Sequence, residues 1–181
     1  MNQDNQKPCF GTFVDNVDNR EYTTVSIGNQ VWMAENFCRD TLDSLIYDGN
    51  YAMFGKYGRL YDYYAAKDMC PLGWHIPCIK EFETLFRHIG RNSASKDIIK
   101  ELLGQSENGI DSFGFNILLG GCGLEDFDTC VGEGTSAYFW VSDLDDGNEQ
   151  HLCICDNRIM LSSFTDVTFC SVRYIKNQAT A

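Results

Sequence analysis

Only one long stretch of the chain repeats its apolar residues at helical spacing. Phe82, Leu85, Phe86 and Ile89 fall at i, i+3, i+4 and i+7, which predicts a helix over 78–90 stopped by Gly90. Glu81, three residues after Cys78, stands where an acid closes a capping box. A shorter stripe of Ile98, Ile99, Leu102 and Leu103 before Gly104 predicts a second helix over 95–103, and the aromatic and alanine-rich 60–68 fits a short third. Elsewhere the period is two. Residues 22–27 alternate, Gly28-Asn29 fits a two-residue turn, and 30–33 returns as a strand. Residues 15–22 carry turn chemistry, with Asn19 suited to positive φ. Residues 39–58, with Gly49, Gly55 and Gly58, read as loop. Further strands are expected at 115–119, 138–142, 150–155, 159–164 and 168–175. Strands, then helices, then strands predict an α+β domain with mainly antiparallel sheets, its N- and C-terminal strands paired. A flexible polar arm over 1–12, one domain over 13–177 and a tail over 178–181 complete the division.

Composition narrows the class. At 181 residues with 44% hydrophobic residues, the chain is long enough for a sizeable core and too apolar for disorder. No apolar run reaches the length of a membrane span. Residues 1–8 are polar and lack the apolar centre of a signal peptide, which fits a cytoplasmic protein or a chain that starts after a removed leader. A net charge of −12 excludes a nucleic-acid binder, which needs a basic footprint. Nine cysteines are many and odd in number, so disulfides, buried free thiols and a metal site all stay open.

Several blocks then carry a resemblance. Residues 22–36, ending Val31-Trp32-Met33-Ala34-Glu35-Asn36, resemble the opening signature of the Fibrobacter succinogenes major paralogous domain family. Tyr57-Gly58-Arg59-Leu60-Tyr61, Ala65-Ala66, the run from Cys70-Pro71-Leu72-Gly73-Trp74 to Pro77, and Glu81 resemble its middle. Asp111-Ser112-Phe113-Gly114-Phe115 and Ala137-Tyr138-Phe139-Trp140 resemble its third block, and Ser171-Val172-Arg173-Tyr174-Ile175-Lys176-Asn177 its closing strand. The resemblance implies a C-type-lectin-like fold, distantly related to formylglycine-generating enzymes, and an exported, often lipid-anchored protein of the outer cell surface in Bacteroidetes or Fibrobacteres. It implies no established molecular function. It also implies a disulfide from Cys70 to a cysteine at the position of Tyr174. Cys70 and Cys170 are therefore candidates, although four residues of strand, about 13 Å, keep Cys170 from inheriting that bond in the same geometry. Cys78 replaces a Ser or Thr N-cap.

Candidate chemistry is scattered. Cys78 at a helix start, with His75 nearby, is a possible reactive thiolate. His151, Cys153 and Cys155 share one strand face and offer soft ligands, the basis for an alternative reading as a cysteine- or metal-dependent modifying enzyme. Cys122 and Cys130 bracket an acidic loop that a disulfide would staple, stabilising by roughly 2–4 kcal/mol. Asp143, Asp145, Asp146 and Glu149 are weak calcium candidates, since calcium takes about six to eight oxygens. Trp32, Trp74 and Trp140 are large enough to stack on a sugar, though their strand blocks favour the core. Trp140, Asp143, Asp145, Asp146, Glu149, Asn157 and Arg158 form the candidate binding set, on loops 121–136 and 143–167 at one exposed end. No P-loop, dinucleotide fingerprint, nucleophile elbow or HExxH occurs. The expectation is a surface-exposed, non-catalytic binding or adhesion module for a glycan or protein, without a resident cofactor; a structural domain of a surface assembly is the third option.

Overall fold

The N-terminal third is an antiparallel meander. Strands β1 (Cys9–Val14), β2 (Glu21–Ile27) and β3 (Gln30–Met33) pair in sequence order. The computed structural model describes residues 7–42, 44–49, 51–90, 98–125, 129–145, 148–163 and 166–178. The β2–β3 turn is the expected one, with Gly28 at φ 62°, and Asn19 takes φ 60° in the β1–β2 connection. Asp15 anchors that connection. It is buried, and its carboxylate accepts from Arg39 Nε at 2.8 Å and Nη2 at 2.6 Å. Residues 9–12, expected in a flexible arm, belong to β1, because the backbone of β2 pairs with all six residues of that strand.

The middle is helical and more ordered than its sequence suggests. After β4 (Ser44–Leu45) comes helix α1 (Tyr51–Tyr57), inside the segment expected as loop. Its Gly55 and lack of an apolar repeat hid it. Strand β5 (Leu60–Tyr61) pairs with β4. Helix α2 (Tyr63–Asp68) starts at Asp62, whose side chain accepts from Ala65 N at 2.9 Å. Strand β6 (Trp74–His75) leads into α3 (Ile79–Gly90) and α4 (Ile98–Leu102). The capping box closes as expected, with Cys78 N donating to Glu81 Oε2 at 2.9 Å. Phe82, Leu85 and Ile89 bury one face of α3; each such side chain contributes roughly 1.5–3 kcal/mol.

The rest is β. Strands β7 (Gly120–Leu124), β8 (Cys130–Glu133), β9 (Ser136–Asp145), β10 (Asn148–Cys155), β11 (Arg158–Ser162) and β12 (Val167–Phe169) form a sheet in the order β11-β10-β9-β7-β12, with β8 also on β7. The last strand, β13 (Ile175–Lys176), joins the first sheet in the order β1-β2-β3-β13-β6, so the C-terminal strand pairs with β3 of the N-terminal meander rather than with β1. The described residues thus form a mainly antiparallel α+β domain with four α-helices. No strand forms at 115–119. Asn116 at φ 54° and Gly114 at φ 69° turn the backbone there, leaving only a bridge from Ile117 to Leu103.

The β9–β10 ribbon divides two cores. Ala137, Phe139, Val141, Leu152 and Ile154 face one that includes Trp32, Phe82 and Leu85. The alternate side chains, with Trp140 and Tyr138, face an aromatic core of Tyr22, Phe37, Tyr61 and Tyr174. Two-residue alternation on paired strands produces this division. Among the described residues no helix is long and apolar enough to cross a membrane.

Candidate functional site

A cleft of about 620 Å³ opens between the meander, α1 and the turns around residues 105–118. Phe10 of β1 forms one lip and Phe54 of α1 another; Arg20, Glu35, Lys56 and Gln105 bring polar chemistry to the walls. Two glycines let the walls close up. Gly58, at φ 79°, has Asn36 Cβ 3.3 Å and Phe37 O 3.4 Å from where a Cβ would stand. Gly114, at φ 69°, leaves the space that the Phe10 ring takes.

Under the cleft lies Arg173, 1% exposed. Its guanidinium donates to Asn36 Oδ1 from Nε at 3.2 Å and from Nη2 at 2.7 Å. It also donates to the carbonyls of Met33 at 3.4 Å, Asn116 at 3.2 Å and Phe115. The rings of Phe115 and Phe139 lie 5.0 and 5.7 Å from Cζ. Among the described residues no carboxylate comes within ion-pair distance of it. Burial lowers its pKa to about 9, with Asp111 and Glu35 pulling the other way.

Each wall residue is held in turn. Asn36 Nδ2 donates to Tyr57 O at 2.9 Å and Ser171 Oγ at 3.2 Å, so one amide joins the opening block, the middle block and the closing strand. Asp111, at φ 50°, accepts from Asn116 N at 2.8 Å. Burial raises its carboxyl, while the Asn116 and Phe115 N–H groups and Arg173 oppose the rise. Glu35 Oε1 accepts from Thr23 N at 2.6 Å. Lys56 donates to Tyr57 Oη at 2.6 Å and pairs with Glu107 at 2.9 Å. The cleft therefore offers charged groups of both signs, amides and aromatic edges, and among the described residues neither histidine nor cysteine lines it. Such a surface suits hydrogen bonding to polar groups.

The residues singled out from the sequence lie elsewhere: Trp140, Asp143 and Glu149 gather around Tyr63, while Asn157 and Arg158 sit apart from them. Trp140 is a core residue, 3% exposed; its Nε1 donates to Tyr61 O at 2.7 Å and its ring meets Tyr63 edge-on at 5.6 Å, so no face is left for a sugar. Asp143 Oδ2 accepts from Ile79 N at 2.6 Å. It supplies the α3 cap that Cys78 cannot. Glu149 faces the Tyr64 hydroxyl. The Asp145 side chain and all of Asp146 lie outside the described residues. Asn157 and Arg158 are exposed at the β10–β11 turn, where Asp156 and Asn157 take φ 49° and 55°. The β9–β10 turn is at the other end of β10, about 23 Å away at seven strand steps. Loops 121–136 and 143–167 are accordingly divided between the two ends of the ribbon rather than gathered at one.

The cysteine expectations are also revised. Antiparallel register places Cys122 opposite Val131 and Cys130 opposite Gly123, so the two thiols project to opposite faces and no bond joins them. No bond joins Cys70 to Cys170. Cys170 lies near Cys122 and Cys153, whereas Tyr174 is the neighbour of Cys70. Cys78 is no activated thiolate. Burial raises its pKa, Glu81 and Asp143 add negative charge, and only the Glu81 N–H opposes them. His75 is held by Glu81 at 2.9 Å and by Asn177 at 2.6 Å. His151 is 1% exposed, neither ring nitrogen has a hydrogen-bond partner among the described residues, and burial lowers its pKa to about 4. Among the described residues no three His, Cys, Asp or Glu side chains converge on a metal position.

The cleft itself went unseen in the sequence. Its signal was present only as separated blocks: Asn36, Gly58 and Asp111 line the cleft, and Arg173 bonds to Asn36. No curated protein and no solved structure matches the chain. The family model of the Fibrobacter succinogenes major domain matches residues 25–176, a span that holds all four of those residues, and the chain belongs to that family.

Proposed function

We propose that this domain is a non-catalytic binding module of the outer cell surface, built on a C-type-lectin-like frame, and that it takes a polyhydroxylated ligand, a glycan, in the cleft lined by Asn36 and Gly58. One observation carries the reading. Residues from the opening, middle and third signature blocks line one cleft of about 620 Å³ whose exposed walls mix aromatic edges with charged and amide groups, and Arg173 of the closing strand bonds to Asn36 of that lining. Hydroxyl-rich ligands use such mixtures, since each hydroxyl both donates and accepts. The cleft sits on rigid elements, which lowers the ordering cost of binding.

The test is a glycan array probed with the full chain, followed by variants. Binding should fall about tenfold or more, equivalent to about 1.4 kcal/mol, in Gln105→Ala or Arg20→Ala, both exposed cleft residues, and hold in Arg158→Ala. An array without hits, or hits weakened only by Arg158→Ala, overturns the reading.

A further inference from the structure

The first sheet ends in an unguarded edge. Strand β1 is the outermost of the order β1-β2-β3-β13-β6, and among the described residues no strand pairs with its outer side. Edge strands are commonly blunted by a charge, a proline or a bulge, because their free N–H and C=O groups invite another chain. Strand β1 carries none of these. Its run Cys9-Phe10-Gly11-Thr12-Phe13-Val14 has no charged side chain, in a chain of net charge −12, and its register with β2 is unbroken from end to end. Phe13 is partly buried, against Trp74 at 5.1 Å and Tyr22 at 6.2 Å. Phe10, Thr12 and Val14 alternate onto the opposite face. All three are exposed there, Phe10 by 57% and Val14 by 45%.

We propose that the outer edge of β1 is a homodimer interface, in which two copies pair β1 antiparallel about a two-fold axis at Thr12 and join their first sheets. The strand is complementary to itself, as an isologous contact requires. With Thr12 on the axis, Thr12 faces its own copy and each Phe10 faces the partner's Val14. Thr–Thr and aromatic–β-branched pairs are among those that stabilise neighbouring strands. Moving the axis to Gly11 sets Phe10 against Thr12, and moving it to Phe13 sets Phe10 against Asn16, so Thr12 is the centre that matches the apolar side chains. The charges agree. Lys7 precedes β1 and Asp18 follows it, both exposed, and antiparallel pairing carries each Lys7 toward the turn that holds the partner's Asp18. Two unlike pairs then flank a neutral seam, on a chain whose net charge repels another copy elsewhere. One strand pair buries less than the roughly 1,200–2,000 Å² of a standard interface, so the dimer is weak and forms with rising concentration. Phe10 is also a lip of the cleft, so the two clefts open beside the shared seam. The inference does not depend on what the cleft binds.

The experiment is sedimentation velocity on the full chain, under reducing conditions because Cys9 is an exposed thiol. Wild type should pass from monomer to dimer as its concentration rises toward about 1 mM. Thr12→Lys sets like charges face to face on the axis and should weaken dimerisation at least about tenfold. Met160→Lys, on the edge strand β11 of the second sheet, should leave it unchanged. Lys7→Glu should weaken the dimer, and adding Asp18→Lys should restore it; both positions are exposed, so this exchange reads the interface and not the fold. A wild type that stays monomeric throughout, an undiminished dimer in a folded Thr12→Lys variant, a dimer lost in Met160→Lys, or a charge exchange that restores nothing overturns the proposal.

Discussion

Arg173 and His151 are equally buried, each 1% exposed, yet the chain treats them in opposite ways. Arg173 is fully networked. Five of its contacts go to Asn36 and to the carbonyls of Met33, Phe115 and Asn116. His151 has no hydrogen-bond partner at either ring nitrogen among the described residues and lies against the rings of Tyr138 and Trp140. A satisfied buried cation fixes geometry, because its planar fork determines where each carbonyl must lie. An unsatisfied buried imidazole fixes nothing and lowers stability whenever it must charge. The cleft side thus holds a fixed network, and the ribbon's second face a buried ring whose charging the fold opposes.

The most damaging way to break this contrast is to cut the network. Arg173→Met leaves Asn36 Oδ1 and three carbonyls without a donor, and should lower unfolding stability by about 3–5 kcal/mol. Urea denaturation will register the loss as a lower midpoint, and Arg173→Lys should recover only part of it. If Arg173→Met matches wild type, the network is not what holds the blocks together.

His151 gives the next effect, and it depends on pH. Its folded pKa, near 4, lies below the ordinary 6.5, so the fold favours the neutral ring. That contribution is complete above 6.5 and is lost as pH falls from 6.5 toward 4, while the unfolded chain takes up the proton first. The slope should approach 1.4 kcal/mol per pH unit at most, about one proton's worth. Denaturation midpoints of wild type and His151→Phe will separate the ring from the carboxylates. The variant should lose less stability over that window.

A smaller effect sharpens the contrast from the helix side. Asp143→Ala removes the acceptor from Ile79 N and should cost about 1 kcal/mol, read by the same denaturation, without changing ligand binding. The smallest expected effect is at the hairpin tip: Arg158→Ala should stay within about 0.5 kcal/mol of wild type.

Local chemistry carried much of this architecture in readable form. The β2–β3 hairpin followed from alternation and Gly28-Asn29, and α3 followed from its stripe and its Glu81 box. What stayed hidden depends on distant partners. Helix α1 has no period of its own, and β1 is recognisable as a strand only through its pairing with β2. The residues 115–119 look like a strand until Asn116 turns left-handed. Asp143 looked like a loop acid because the N–H it caps lies 64 positions earlier. Arg173 reaches Asn36 across 137 positions, so no window of sequence could display the cleft.

The β9–β10 ribbon has one further consequence. As a wall common to both hydrophobic compartments, it gives neither half an independent boundary. Heat or urea that loosens one compartment strips the shared wall from the other, so the molecule should melt in a single sharp step, with no half-folded species along the way.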